Sequence, residues 1–268
     1  MTPPTRPGAP TRSARARGAL LGLAGGGGSL LRLATVLGEE LLAPELDLGR
    51  TVSRWLELLD APHDLPPAYA TALQFLREHG APPLPDAAHD GAAGVPVHVV
   101  PVALLTAEHP ANLLSGAWHL AAITHPAADA TWAAVALAVA LARLLQGHRD
   151  FVADVTEALR TNEAPVALLE RVRRLPVTRR HELAPASLDA ASGLEAALWL
   201  NWHEPRPLRG LAWLHAEGAP ATTRAATGAL YGALRGEAAL ASLATDAPVE
   251  RAALALLADR LARVVHGH

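Results

Sequence analysis

Few residues in this chain combine a type and a spacing that suggest chemistry. His125 and Asp129 lie four positions apart, and the other isolated acids are Glu217 and, in a segment rich in Pro and Gly, Asp86 and Asp90. An isolated acid in a protein usually lies in water or caps a helix, so that ordinary role is the first interpretation of each. For His125 two interpretations stay open, because it either lines a cleft or caps a buried helix.

Several other kinds of site are excluded or weakly supported. The chain has no cysteine, which excludes disulfides, thiolate catalysis and Cys-ligated zinc. The His-Glu pairs that begin at His181 and His203 lack the second His that a helical zinc site needs. A net charge of −3, spread along the chain, argues against a nucleic-acid partner. His98 is either a hydrogen-bonding residue for a ligand or an ordinary loop residue.

The composition predicts an all-α fold. Half of the residues are hydrophobic (50%) and only 4% are aromatic, with Ala and Leu, both strong helix formers, supplying most of the apolar content. Apolar spacing, with Pro and Gly at the ends, predicts helices at about 30–41, 46–59, 68–79, 99–105, 113–123, 131–145, 152–160, 166–174, 188–202, 208–216, 220–235 and 248–266.

These elements predict one compact multi-helix domain at 17–268 behind a disordered, arginine-containing tail at 1–16. The stretch 131–145 is apolar on all sides until Arg143, which is typical of a helix at the centre of a bundle. The longest apolar run, 130–142, is too short to cross a bilayer. We expect no membrane partner and, by default, a cytoplasmic protein.

The segment 218–230, GAPATTRAATGAL, gives the clearest family resemblance. It resembles, without a gap, the C-terminal signature of the ADP-ribosylglycohydrolases, which runs Gly-Asp-Thr-Asp-Thr into a small-residue helix that ends Gly-Ala-Leu. The two metal-binding aspartates of that signature correspond to Ala219 and Ala221, whereas Thr222 is retained.

Three further segments resemble the same family in the family's order. Residues 17–24, RGALLGLA, are similar to its opening helix, but the loop that follows is absent, so Gly27 and Gly28 stand at the place of two paired aspartates. Around Gly94 a Gly-Asn-Gly stretch of the family is partly kept, with His98 in place of Arg. The Thr-His-Pro motif that contains His125 precedes the predicted central helix.

The resemblance implies the family's helical fold but not its chemistry. Family members bind two magnesium ions and remove ADP-ribose from protein side chains by hydrolysis. Magnesium requires oxygen ligands, chiefly carboxylates, and it supplies the Lewis acid and holds the attacking water. Because all four aspartates are replaced, we expect no metal cofactor, no catalytic residue and a pseudoenzyme. The remnant cleft would hold ADP-ribose or an ADP-ribosylated protein through Gly27, Gly28, Gly94, His98, His125, Asp129, Glu217 and Thr222.

Two alternatives stay open. One is an active hydrolase of ADP-ribosylated side chains, in which Glu217, Asp129 and His125 form a rearranged site. The other is a structural subunit without any small-molecule site.

Overall fold

The structure, a computed structural model, describes residues 9–60, 63–84, 94–243 and 248–263, and within these ranges it contains helices and no β-strand. The predicted all-α class is therefore confirmed. The helices are α1 (Arg12–Gly22), α2 (Gly28–Leu41), α3 (Leu48–Leu56), α4 (Pro67–His79), α5 (Val100–Thr106), α6 (Pro110–Ala122), α7 (Ala128–Leu145), α8 (Phe151–Thr161), α9 (Val166–Arg174), α10 (Ala190–His203), α11 (Pro207–Ala216), α12 (Ala221–Arg235) and α13 (Pro248–Arg263).

Helix α7 is the centre of the bundle, as its all-round apolar sequence predicts. It packs against α5, α6, α8, α10 and α12. With 18 residues and a mean hydropathy of 1.6 it is, by length and composition alone, long enough to span a membrane, unlike the shorter run seen in the sequence. The core helix of a bundle meets the same criterion, and 78% of α7 is buried inside the protein.

Helices α1 and α12 cross in backbone-to-backbone contact. A Cβ added to Gly22 would lie 2.1 Å from the carbonyl oxygen of Gly228, and one added to Gly18 would lie 2.5 Å from that of Gly232. The four glycines form two matching Gly-x-x-x-Gly spacings, one on each helix. Gly18, Gly22 and Gly228, which lie in the segments that resemble the family, therefore have a packing role. No side chain would fit between the two helices at these positions.

The expected tail is partly a helix. Helix α1 begins at Arg12 behind Thr11, whose side chain accepts a hydrogen bond from the N–H of Ala14. Arg15 is 9% exposed, and its Nη1 donates to the carbonyls of Leu144 (2.8 Å) and Ala233 (3.2 Å). The prediction of disorder is thus wrong for 12–16, because a buried guanidinium anchors this turn on the C-terminal ends of α7 and α12. Residues 1–8 lie outside the described residues.

Candidate functional site

The two segments predicted to carry the lost aspartates meet in the structure. A short 3-10 turn, Leu23–Gly26, links α1 to α2 and lies against the first turn of α12. A Cβ added to Gly26 would stand 2.4 Å from the carbonyl oxygen of Ala221. Gly27 follows in a left-handed conformation (φ 113°), and a Cβ at Gly28 would have nothing within 4 Å.

Asp64 supplies a carboxylate at the start of α2, although it is 36 residues from Gly28 in the sequence. It accepts hydrogen bonds from the backbone N–H groups of Gly28 (3.0 Å) and Ser29 (2.8 Å). Its own N–H donates to the hydroxyl of Ser29 (3.2 Å). The start of α2 has no capping side chain of its own at Gly27, so a distant residue caps it.

The hydrogen bonds at the helix start also lower the pKa of this acid. Burial would raise the pKa of Asp64, but hydrogen bonds from the Ser29 hydroxyl and from the N–H groups of Ser29 and Gly28 hold it below its ordinary value. Sequence reasoning missed Asp64, because no local spacing connects it to α2.

Arg224 is the second residue that sequence reasoning missed. Its Nε donates to the carbonyl of Gly25 (3.2 Å), and its Nη1 donates to the carbonyl of Ala219. A guanidinium therefore joins the two segments between which the family's metal ligands would lie. Ala219 itself is 1% exposed and belongs to a small apolar core.

Gly94 and Thr222 are brought together, as the family resemblance implies, but no space separates them. Gly94 has a left-handed φ of 58°, and a Cβ added there would lie 2.5 Å from the Thr222 hydroxyl oxygen. Thr222 is 2% exposed, and its hydroxyl has no hydrogen-bond partner within the described residues. The backbone of Gly94 thus covers the one oxygen ligand retained from the signature.

The two histidines proposed for the cleft lie in a buried aromatic cluster with Trp55 and Tyr69. His98 is fully buried, its Nε2–H donates to the carbonyl of Leu120 (3.0 Å), and its Nδ1 accepts from the Tyr69 hydroxyl (2.9 Å). The Tyr69 ring meets the His125 ring edge-to-face, with 4.5 Å between centroids.

Burial lowers the pKa of His98 to about 4, so its ring is neutral at physiological pH. With both ring nitrogens bonded inside the protein, His98 has a core role and does not face a ligand surface. His125 is 2% exposed, and its Nδ1 is bonded to the neighbouring Thr124 hydroxyl (2.7 Å).

The acids proposed for a rearranged site lie at the surface. Asp129 is exposed in the first turn of α7. Glu217 is exposed at the C-terminal end of α11, where its Oε1 accepts a hydrogen bond from Trp213 (2.8 Å). Asp86 and Asp90 lie outside the described residues.

An open cavity of about 410 Å³ adjoins the start of α2. It lies between α2, α3 and α13, and Gly28, Arg32 and Asp64 are among its lining residues. Of the sequence-predicted site residues, Gly28 alone borders this cavity within the described part of the chain.

The donor set around the turn does not suit a pair of magnesium ions. Ala219 and Ala221 offer no side-chain oxygen, Asp64 is engaged by the α2 start, and Arg224 brings a positive charge. Within the described residues no group of three or more His, Asp or Glu side chains could hold a metal ion. Two closely spaced dications need several carboxylates, so these residues do not fit the group that the family uses.

Comparisons with known proteins define the class to which this helical fold belongs. The family model for ADP-ribosylglycohydrolase matches residues 29–268. A solved structure described as an "ADP-ribosylglycohydrolase-related protein complex" has the same fold, with a TM-score of 0.72 and 24% identity over 94% of this chain and 98% of that one. A search of curated proteins gave no significant match.

This chain belongs to the ADP-ribosylglycohydrolase family, because the family model covers most of it. The match begins at Ser29, so α1, the 3-10 turn, Gly27 and Gly28 precede it.

Proposed function

We propose that this family member is a non-catalytic protein that binds an ADP-ribose-like ligand without a metal cofactor. The observation that carries the proposal is the bridge formed by Arg224 between the carbonyls of Gly25 and Ala219. A guanidinium at the meeting point of the two segments repels divalent cations, where the family mechanism needs carboxylates that attract them.

The place proposed for the ligand is the cavity at the start of α2. The space between Gly94 and Thr222 is closed, whereas Gly28 is open to the cavity of about 410 Å³. That volume falls in the range typical of small-molecule sites. Arg32 is exposed at this cavity and, within the described residues, forms no ion pair, which leaves its guanidinium accessible to a diphosphate.

ADP-ribose binding tests the proposal directly. We expect millimolar ADP-ribose to raise the melting temperature equally in magnesium and in EDTA, because no metal takes part. Arg32→Gln should reduce this shift, and Arg173→Gln, which removes an exposed arginine paired with Glu170, should leave it unchanged. An unmoved melting temperature would reject the ligand and favour a structural subunit without a small-molecule site.

Hydrolysis is measured separately with proteins that carry ADP-ribose on arginine or serine. We expect no ADP-ribose release in the presence of magnesium or manganese. Release that Glu217→Ala or Asp129→Ala reduces would instead support the rearranged hydrolase and would overturn the non-catalytic proposal.

A further inference from the structure

A second cavity lies at the other end of α12, roughly 20 Å along the helix from Ala221 by its 15 residues. Its volume is about 510 Å³. It is bounded by the turn between α7 and α8, the C-terminal end of α10 and the C-terminal end of α12. None of the residues discussed for the α2 cavity lines it within the described part of the chain.

Two polar groups of this cavity lack partners. The Nε of Arg235 is buried and has no hydrogen-bond partner among the residues that the structure describes. Asn201 is 7% exposed, and its Nδ2 donates to the carbonyls of Ala197 (3.0 Å) and Thr227 (3.4 Å). The Oδ1 of Asn201 is buried without a described partner. Arg235 and Asn201, which both line the cavity, therefore each hold a buried polar atom without a described partner, and orphaned buried polar groups are costly.

The charges around the cavity are mainly positive. Arg149 and Arg235 both line it, and burial together with Arg149 lowers the pKa of Arg235. The described lining contains one carboxylate, that of Asp150, and neither arginine forms an ion pair with it. The partial negative charge at the C-terminal ends of α7 and α12 is offset by Arg15. Its guanidinium donates to the carbonyls of Leu144 and Ala233.

One further acid is near the cavity but is already neutralised. Glu204 forms ion pairs with Arg206 (3.2 Å) and Arg209 (3.5 Å). Within the described residues it forms no ion pair with Arg149 or Arg235.

One wall of the cavity is aromatic. Phe151 and Trp202 both line it, and the buried Phe151 ring (1% exposed) packs edge-to-face against the half-buried Trp202 ring, with 5.6 Å between centroids and 89° between planes. The cavity is far larger than a bare phosphate or carboxylate, so its occupant includes a planar or apolar body.

We propose that this cavity is a second binding site, for a small molecule that carries a phosphate or carboxylate on a planar body. Arg235 and Arg149 bind the anionic group, Asn201 Oδ1 accepts a hydrogen bond from the ligand, and the Trp202 ring, held edge-to-face by Phe151, contacts the planar body. The site is independent of any binding at the start of α2.

Calorimetric titration with phenyl phosphate and with benzoate tests the proposal and separates its two anionic groups. We expect at least one of the two to bind in the millimolar range or tighter, and Arg235→Met to weaken that binding about tenfold or more. Arg149→Gln should weaken it severalfold. Arg160→Gln, which removes an exposed arginine paired with Glu157, is the matched control and should leave the affinity unchanged. Benzyl alcohol, the neutral probe, should not bind.

The fold of the variants is checked by their melting temperatures. We expect Arg235→Met to be at least as stable as the original protein, because it removes a partly buried cation that has no described anionic partner. The surface change Arg149→Gln provides the test if Arg235→Met does not fold. Binding of neither anion at millimolar concentration, or equal affinities in Arg149→Gln and Arg160→Gln, would overturn the proposal.

Discussion

At the scale of single residues, the charged groups beside the start of α2 come from Asp64 and Arg224, which lie outside the segment 17–28. Asp64 and Arg224 hold the turn from two sides, one at the N–H groups of Gly28 and Ser29 and the other at backbone carbonyls. No local sequence pattern around either residue predicts this role. That the two motif segments would meet was predictable from the family resemblance, whereas the charged groups found beside them depend on tertiary contacts.

Asp64→Ala should lower the free energy of unfolding by about 1 kcal/mol at neutral pH, because it removes the cap of α2. Asp64→Asn, which keeps one acceptor oxygen, should cost less. Since the folded pKa of Asp64 is lowered, its contribution is full above the ordinary value of 3.8 and is lost as the pH falls through the folded pKa. Denaturant titrations at several pH values measure this.

The matched control for Asp64 is Asp129→Ala, an exposed acid in the first turn of α7, which should change stability by no more than about 0.5 kcal/mol. If the Asp64 carboxylate took part in catalysis, its removal would abolish hydrolysis without changing the free energy of unfolding. ADP-ribose release that disappears in Asp64→Ala while stability stays constant would contradict the capping role.

At the scale of elements, the glycine contact between α1 and α12 determines how the two segments meet. Because the helices touch along Gly18, Gly22, Gly228 and Gly232, the turn after α1 lies directly against the first turn of α12. This contact is independent of metal binding. It brings the segment that carries Gly27 and the segment that carries Ala221 together through backbone packing of the helices.

Gly228→Ala should destabilise the protein by about 3 kcal/mol, at the upper end of overpacking costs, because its Cβ would lie 2.1 Å from the Gly22 carbonyl oxygen of another helix. Gly28→Ala is the control, since its Cβ has open space and its stability should be unchanged or slightly raised. Equal melting temperatures for the two variants would refute the packing role of the crossing.

Most helices were predictable from apolar spacing and breakers, while capping and long-range contacts were not. Helix α4 begins at Pro67 and ends at His79, followed by Gly80 in the left-handed conformation, close to the prediction of 68–79. The sequence predicts a disordered tail for the first part of α1, residues 12–16, because its arginines look solvated there. Arg15 holds this part of the helix, and two of its carbonyl partners, Leu144 and Ala233, lie more than 100 residues away.

At the scale of the whole molecule, α12 connects two different electrostatic environments. Its N-terminal end carries Ala221 and Arg224, and its C-terminal end carries Arg235 beside Arg149. The C-terminal end therefore favours anions, whereas the N-terminal end brings Arg224 close to the segment that the Asp64 carboxylate caps. The separation of roughly 20 Å along the 15-residue helix allows the two cavities to bind ligands independently.

Magnesium should not stabilise this protein beyond an equal ionic strength of sodium chloride. A ligand present at about 100 times its Kd would add about 2.7 kcal/mol to the free energy of unfolding, which would be evident as a rise in melting temperature. With Ala219 and Ala221 in place of acids and Arg224 between the segments, we expect no such rise and no calorimetric binding. Stoichiometric, micromolar uptake of magnesium or manganese would show that carboxylates assemble here in a way that Arg224 should prevent, and the non-catalytic proposal would fail with it.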